Sequence, residues 1–436
     1  MADMLNYLKT HMRIKYVFRL REKDNRKASS GKSLQKGECI RMKKVLFLGA
    51  PVFQIPVIEK AKQLGLYVGV VDINPEAMGV HYADEHFVCS LRDDEKLFEI
   101  AKQFKPDGIV IGACDTSVVS ASRICQKLGL PGHSIDTAAK ATDKLQMLLA
   151  FQAHHVAHPE FWLVNKNEIE TFCKDITYPA ISKPTDSSGS RGIYYIQNSS
   201  ELKSALKYSS NAGRSGVVLI EEYMNGPEVS VEILVVNGVP YVLQITDKIT
   251  SGPPYFYETG HSQPSALPEE TKNRIAHLAK QACTAIGLEN SPAHVEIKVT
   301  DNGPKMVEMG ARLGGGCIST YLLDTSIKGI CLSEEAIRMA MGMIPNVVSF
   351  TNSEDAVAVR FILAQEGTIQ SITGVDEASK EDGVIKVMIY GTVGQHYKQT
   401  FDNASRMGFV VAKGKTTKEA LLKCELAIKK IKIQYI

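Results

Sequence analysis

Two carboxylates inside apolar strands are the first candidates for chemistry. Glu296 and Glu308 lie in "HVEIKVTDNGPKMVEMGAR", between Val295 and Ile297 and between Val307 and Met309. A turn at Asp301–Gly303 makes the two stretches arms of one hairpin, and period-2 alternation puts both acids on one sheet face, opposite each other. Like carboxylates side by side repel unless a cation sits between them. Mg²⁺ that bridges phosphates takes one or two carboxylates of this kind. Two solvated acids on an open face is the plainer reading, but apolar residues flank both and a glycine-rich loop follows. That loop holds Arg312 and Gly314–Gly316. A planar guanidinium suits a phosphoryl or acyl phosphate. Glycines, with Gly315 at their centre, let backbone N–H groups approach a ligand.

A second group surrounds "AISKPTDSSGSRGIYYI", residues 180–196. Lys183 precedes the glycines and the segment returns into a strand, so it is not a P-loop, whose lysine follows the glycines and opens a helix. It reads as a hairpin flap over Ser187–Gly192, including Ser188, Gly189 and Ser190, with a cation at its base. Next, "LIEEYMNGPEVSVE" ends a strand in Glu221 and Glu222, passes Tyr223 and Met224, turns at Gly226-Pro227 and opens a strand at Glu228. The Glu221 carbonyl and the Met224 N–H suit the edge of a purine, and the Glu228 carboxylate suits ribose hydroxyls. An acidic strand edge facing water is the alternative. A helix over 137–155 carries Lys140 and Lys144. "YFYETGHSQPSALP" includes Glu258 and His261; His261 is a lone loop histidine that either positions a carboxylate or accepts a proton, or is a plain surface residue.

These residues need a scaffold. From Lys43, "KVLFLGA", "YVGVVDI" and "DGIVIGA" read as buried strands. They alternate with helices "QIPVIEKAKQLG", "DDEKLFEIAKQF" and "SVVSASRICQKLG", the pattern of a parallel doubly wound sheet. Its first turn lacks G-x-G-x-x-G, which argues against a dinucleotide site. Beyond residue 137 the pattern becomes antiparallel, with a hairpin turning at Asn237-Gly238. A helix near 268–286 carries an Ile275, Leu278, Ala282 and Ile286 stripe. The last segment ends in a helix near 417–430.

Composition excludes other classes. The chain of 436 residues is 44% hydrophobic and 23% charged, as expected of two or three globular domains. Residues 1–41 carry 11 basic and 4 acidic side chains, and the remainder 40 and 44. The body is mildly acidic and shows no nucleic-acid footprint. No apolar run is long enough to span a membrane. Nine scattered cysteines without C-x-x-C point to a reduced, cytoplasmic protein.

Taken in order, the helix lysine, strand lysine with flap, E-E-Y-M-x-G-x-E, two hairpin glutamates, and arginine with glycines resemble the ATP-grasp superfamily of carboxylate–amine ligases. The look is that of the amino-acid (dipeptide-forming) ligases in particular. The resemblance implies a mixed α/β and α+β fold. A pre-ATP-grasp parallel α/β domain would span 42–136, an ATP-grasp domain 137–346 and a small C-terminal α+β domain 347–436. Residues 1–41 would be a basic, disordered extension. It implies ATP and Mg²⁺ as cofactors. Lys144, Lys183 and the flap would meet the phosphates, Glu221, Glu222, Met224 and Glu228 the adenosine, Glu296 and Glu308 the metal. Arg312, His261 and Gly315 would serve catalysis. The implied partners are small-molecule carboxylate and amine substrates, with homodimers common in the family. One departure stands out: the family has E-x-N-x-R where this chain has Glu308-Met309-Gly310-Ala311-Arg312. A carboxylase or purine-pathway ligase is the alternative within the class, and a non-catalytic ATP-binding sensor the alternative outside it.

Overall fold

The computed structural model describes residues 41–345, 347 and 349–436; the basic extension expected at 1–41 lies, but for Arg41, outside them. The described residues divide into two units. One comprises 41–132 and 333–345. The other comprises 133–332 and the residues from 347 onward.

In the first unit four parallel strands, β1 (Lys44–Leu48), β2 (Tyr67–Asp72), β3 (Glu85–Val88) and β4 (Gly108–Val110), lie in the order β3-β2-β1-β4. Val45 to Leu48 are all fully buried, as the unbroken apolar run requires of a strand covered on both faces. The helices Ile55–Gln63, Asp94–Phe104 and Thr116–Leu128 fall where the periodicity puts them. Asp93 caps the second through the Lys96 N–H, and Gly129 closes the third at φ +66°. β3 is not announced in the sequence, because "EHFV" has no apolar run.

In the second unit, among the described residues, two larger sheets stand out. One has the order β5-β8-β6-β7, from β5 (Phe161–Asn165), β6 (Ala180–Pro184), β7 (Tyr194–Ile196) and β8 (Val217–Glu222). The β6–β7 hairpin carries the flap. The other has eight strands. It starts with β9 (Glu228–Val236), β10 (Val239–Thr250), β11 (Glu258–Gln263), β12 (Ser291–Thr300) and β13 (Gly303–Gly310). The chain then forms short β14 (Ile327–Lys328) and β15 (Thr351–Asn352), followed by β16 (Ala356–Leu363), β17 (Gly367–Thr373), β18 (Val384–Ile389), β19 (His396–Tyr397), β20 (Arg406–Gly414) and β21 (Lys432–Tyr435). The eight-stranded order is β13-β12-β9-β10-β11-β16-β20-β18. The segment from 347, expected as a small C-terminal α+β domain, joins the same sheet through β11–β16 pairing.

The β9–β10 hairpin turns at Asn237 and Gly238, at φ +51° and +77°, the two left-handed positions a type I′ turn demands. The helix Glu269–Ile286 buries Ile275, Leu278, Ala282 and Ile286 on one stripe. The helix expected at 137–155 is instead two, Ile135–Lys140 and Lys144–Ala153. Asp143 breaks it. Its backbone is extended and its carboxylate accepts the Gln146 N–H, since a short acid competes well for orphan N–H groups. Lys144 therefore opens a helix rather than sitting mid-helix.

Candidate active site

One face of the eight-stranded sheet is built of polar rows. The ladder registers place Thr246 beside Ser230, Ser230 beside Glu296, and Glu296 beside Glu308. A neighbouring row runs His261, Lys248, Glu228, Lys298, and another runs Gln244, Glu232, His294, Gly310. Directly paired residues share a face, so these side chains stand together while Val229, Val231, Val295 and Ile297, all fully buried, fill the opposite face. Glu296 and Glu308 are opposite each other, as expected.

A lysine supplies the countercharge at each acid. Lys144 Nζ is 2.8 Å from Glu308 Oε2, and Lys248 Nζ is 2.9 Å from Glu296 Oε1. Lys248 also reaches Glu228 at 2.7 Å and Glu258 at 3.3 Å. Its side chain is only 3% exposed. Burial lowers its pKa, but Glu228, Glu296 and Glu258 override this and hold the ammonium well above its ordinary value. Burial likewise raises Glu296, yet Lys248 and His294 keep it well below the carboxylate range. Period-2 polar spacing in "QITDK" and "HVEIK" was the signal that could have found Lys248 and His294.

The sequence predicts a loop at His261. The structure places it within β11 and fully buried, because β10 and β16 flank that strand. Its Nε2 lies 3.4 Å from Glu258 Oε2 without hydrogen-bond alignment, and its Nδ1 meets no hydrogen-bond partner among the described residues. Burial lowers its pKa below the usual 6.5 despite Glu258. The ring is thus neutral and able to take a proton. Arg406 of β20 brings a further charge: its Nη1 is 3.3 Å from Glu258 Oε2 and its guanidinium sits 3.8 Å over the Phe361 ring.

Lys183 and Glu221 form a buried pair at 2.7 Å across β6 and β8. Glu221 Oε1 is buried with no hydrogen-bond partner among the described residues, a position that suits an incoming donor such as an exocyclic amine. Met224 is buried and Tyr223 packs edge-on with Tyr195 at 5.0 Å, an apolar wall at the hinge. The Glu222 side chain points to Lys305, at 2.6 Å, and accepts the Glu160 N–H. In the flap, Gly189 and Ser190 have φ of +67° and +63°. Lys144 Nζ donates to Ser187 O at 2.7 Å, and Ser190 Oγ to Phe256 O at 3.4 Å.

Arg312 folds back over Gly310. A Cβ at 310 would lie 3.1 Å from the Arg312 side chain, and Nη1 donates to Leu313 O at 2.9 Å. A side chain at 310 would crowd the guanidinium in this position. Gly315 opens the turn into the π-helical segment Ile318–Leu322. Among the described residues no cluster of three or more His, Cys, Asp or Glu has metal-binding geometry. The opposed pair Glu296 and Glu308 fits a hard, phosphate-bridging ion, which draws its other oxygens from phosphate and water.

Flap, hinge and paired acids on two antiparallel sheets are the architecture of the ATP-grasp proteins. Residues 176–320 match the ATP-grasp domain model and residues 360–435 the model of L-amino acid ligase C-terminal domain 2. The chain carries these two domains in that order. The L-amino acid ligase from Bacillus licheniformis has a similar structure, with a TM-score of 0.78 at 21% identity over 91% of this chain and 100% of that one. Carnosine synthase 1 of Gallus gallus is 24% identical over 364 residues, 76% of this chain and 39% of that protein. The formate-dependent phosphoribosylglycinamide formyltransferase of Sulfurisphaera tokodaii is 27% identical over 88% of this chain and 96% of that protein. The chain spans less than two thirds of the length of the first curated relatives it matches.

Proposed function

We propose that the protein is an ATP-dependent carboxylate–amine ligase that joins amino-acid-like substrates through an acyl phosphate. The opposition of Glu296 and Glu308, each held by its own lysine, with Arg312 four residues after Glu308 in the chain, carries this reading. A substrate carboxylate oxygen attacks the γ-phosphorus of ATP, the β–γ bridging bond breaks and ADP leaves. The amine nitrogen then attacks the acyl carbon, the C–O bond to phosphate breaks, and the amine gives up a proton.

Lys144 and Lys183 would bind the phosphates, Glu221, Met224 and Glu228 the nucleoside, and Ser188, Gly189 and Ser190 would cover it. Glu296 and Glu308 would hold Mg²⁺, which when bound neutralises phosphate charge. Arg312 would brace the acyl phosphate, with Gly315 N–H close by, and neutral His261 would take the amine proton. Catalysis of this kind is mostly positioning and charge stabilisation.

The L-amino acid ligase C-terminal domain match favours amino-acid substrates over the purine-pathway and carboxylase reading. Retention of both acids, their lysines and Arg312 favours an enzyme over a sensor. No helix of the described residues is long and apolar enough to cross a membrane, which accords with a cytoplasmic location. A homodimer is the assembly to test by light scattering.

The experiment is a phosphate-release screen with Mg-ATP over amino acids, singly and in pairs. Release that requires a particular pair, with a matching amide by mass, supports the ligase. ATP binding without amino-acid-dependent release in any combination overturns it.

A further inference from the structure

A chain of four contacts leaves the row of Glu296 and enters the glycine loop. His294 Nε2 donates to Glu296 Oε1 at 3.3 Å, and His294 Nδ1 to Glu232 Oε1 at 2.5 Å. The Ser319 hydroxyl donates to the other Glu232 oxygen, and the Gly314 N–H donates to Ser319 Oγ at 2.6 Å. Glu232 and Ser319 are fully buried. Both ring nitrogens of His294 face carboxylate oxygens, so both must carry hydrogens, and every link is a satisfied donor–acceptor pair.

A buried carboxylate held this way adds little net stability, since well-packed apolar residues often do as well or better. What a fully satisfied network supplies is a single geometry. Gly314 reports how tight that geometry is. A Cβ there would come within 2.6 Å of His294 Nδ1 and 2.9 Å of both Glu232 oxygens. Its φ lies outside the left-handed range, so close approach rather than backbone conformation demands glycine. Two residues on, a Cβ at Gly316 would lie 2.9 Å from His261 Nε2. The loop is therefore seated against His294 at one point and His261 at another.

We propose that Glu232, His294 and Ser319 are positioning residues that hold the loop 314–316, and with it Arg312, in fixed register against Glu296. The consequence is that the acyl phosphate stays shielded from water until the amine attacks. This rests on the ligase reading. A misplacement of about 1 Å at such a loop costs about a hundredfold in rate, and a loosened loop also admits water.

The test uses the full chain with Ser319→Ala and, separately, Gly314→Ala, which perturbs the same point without removing a polar group. In both, kcat for amide formation should fall by about a hundredfold. KM for ATP should stay within about twofold, and phosphate release should exceed amide formed. A merely destabilised protein loses both products in proportion, so unchanged stoichiometry in both variants overturns the proposal. A second arm needs no turnover. Hydrogen exchange in the peptide spanning Gly314 should speed up in Ser319→Ala and also in Glu296→Gln, at the far end of the chain of contacts. Exchange unaltered by Glu296→Gln overturns the coupling even where the wild-type protein proves to release no phosphate, an outcome that would separately sink the ligase reading.

Discussion

Glu296 and Glu308 stand directly opposite each other across the β12–β13 ladder, and a different lysine holds each, Lys248 from β10 and Lys144 from the start of a helix. The two acids are therefore not equivalent. The Glu308 partner also grips the flap at Ser187 O, whereas the Glu296 partner is locked among three carboxylates.

That asymmetry bears on metal and phosphate handling at Glu308. Glu308→Gln keeps the shape and removes the charge. It should abolish turnover while leaving ATP affinity within about tenfold, because a metal at this acid acts chiefly on the transferring phosphate. Calorimetric titration with a non-hydrolysable analogue, set beside phosphate release, checks this; full activity in the variant removes Glu308 from the site.

Lys248 makes a stability prediction. Replacing it by methionine leaves Glu228, Glu258 and Glu296 facing one another without their shared cation. Breaking a buried pair in this way costs about 3–5 kcal/mol. Thermal unfolding should drop markedly for Lys248→Met, and Glu258→Gln added to it should recover part of the loss. An unshifted transition would mean that Lys298, Arg406 and His294, which also approach these acids, carry the countercharge without Lys248.

His261 sets a pH dependence. Burial holds its folded pKa below the unfolded 6.5, so the neutral base persists at neutral pH and the acid limb of kcat should fall below 6.5. The sign for stability follows: the unfolded chain binds the proton more readily, so this contribution to stability is lost as pH falls below 6.5. His261→Gln should lower kcat and erase its share of the acid limb. A limb identical in wild type and variant assigns the base elsewhere.

Arg312→Lys keeps the charge and loses the planar fork. The expected result is normal ATP binding with kcat down on the order of a hundredfold, roughly 3 kcal/mol in the transition state. Stopped-flow or steady-state kinetics separates this from the converse, a raised ATP KM at normal kcat, which would make Arg312 a ground-state nucleotide contact.

Much of the frame was legible in the residues themselves. Alternation placed Glu296 opposite Glu308, Asn237-Gly238 fixed a hairpin, and the Ile275 to Ile286 stripe fixed a helix, because each depends on local geometry with periods of 2 or 3.6. The flap was legible for the same reason, as a lysine and glycines between two strands. Strand pairing across long separations was not. Nothing near Lys248 in the chain names Glu296, and nothing near Glu232 names Ser319, since sheet order and register are settled by packing of the whole unit. The same cause put His261 in a buried strand rather than a loop and turned Glu222 toward Lys305. Sequence determined which polar residues face one way along each strand; only the tertiary structure decided which strands lie side by side, and therefore which charges meet.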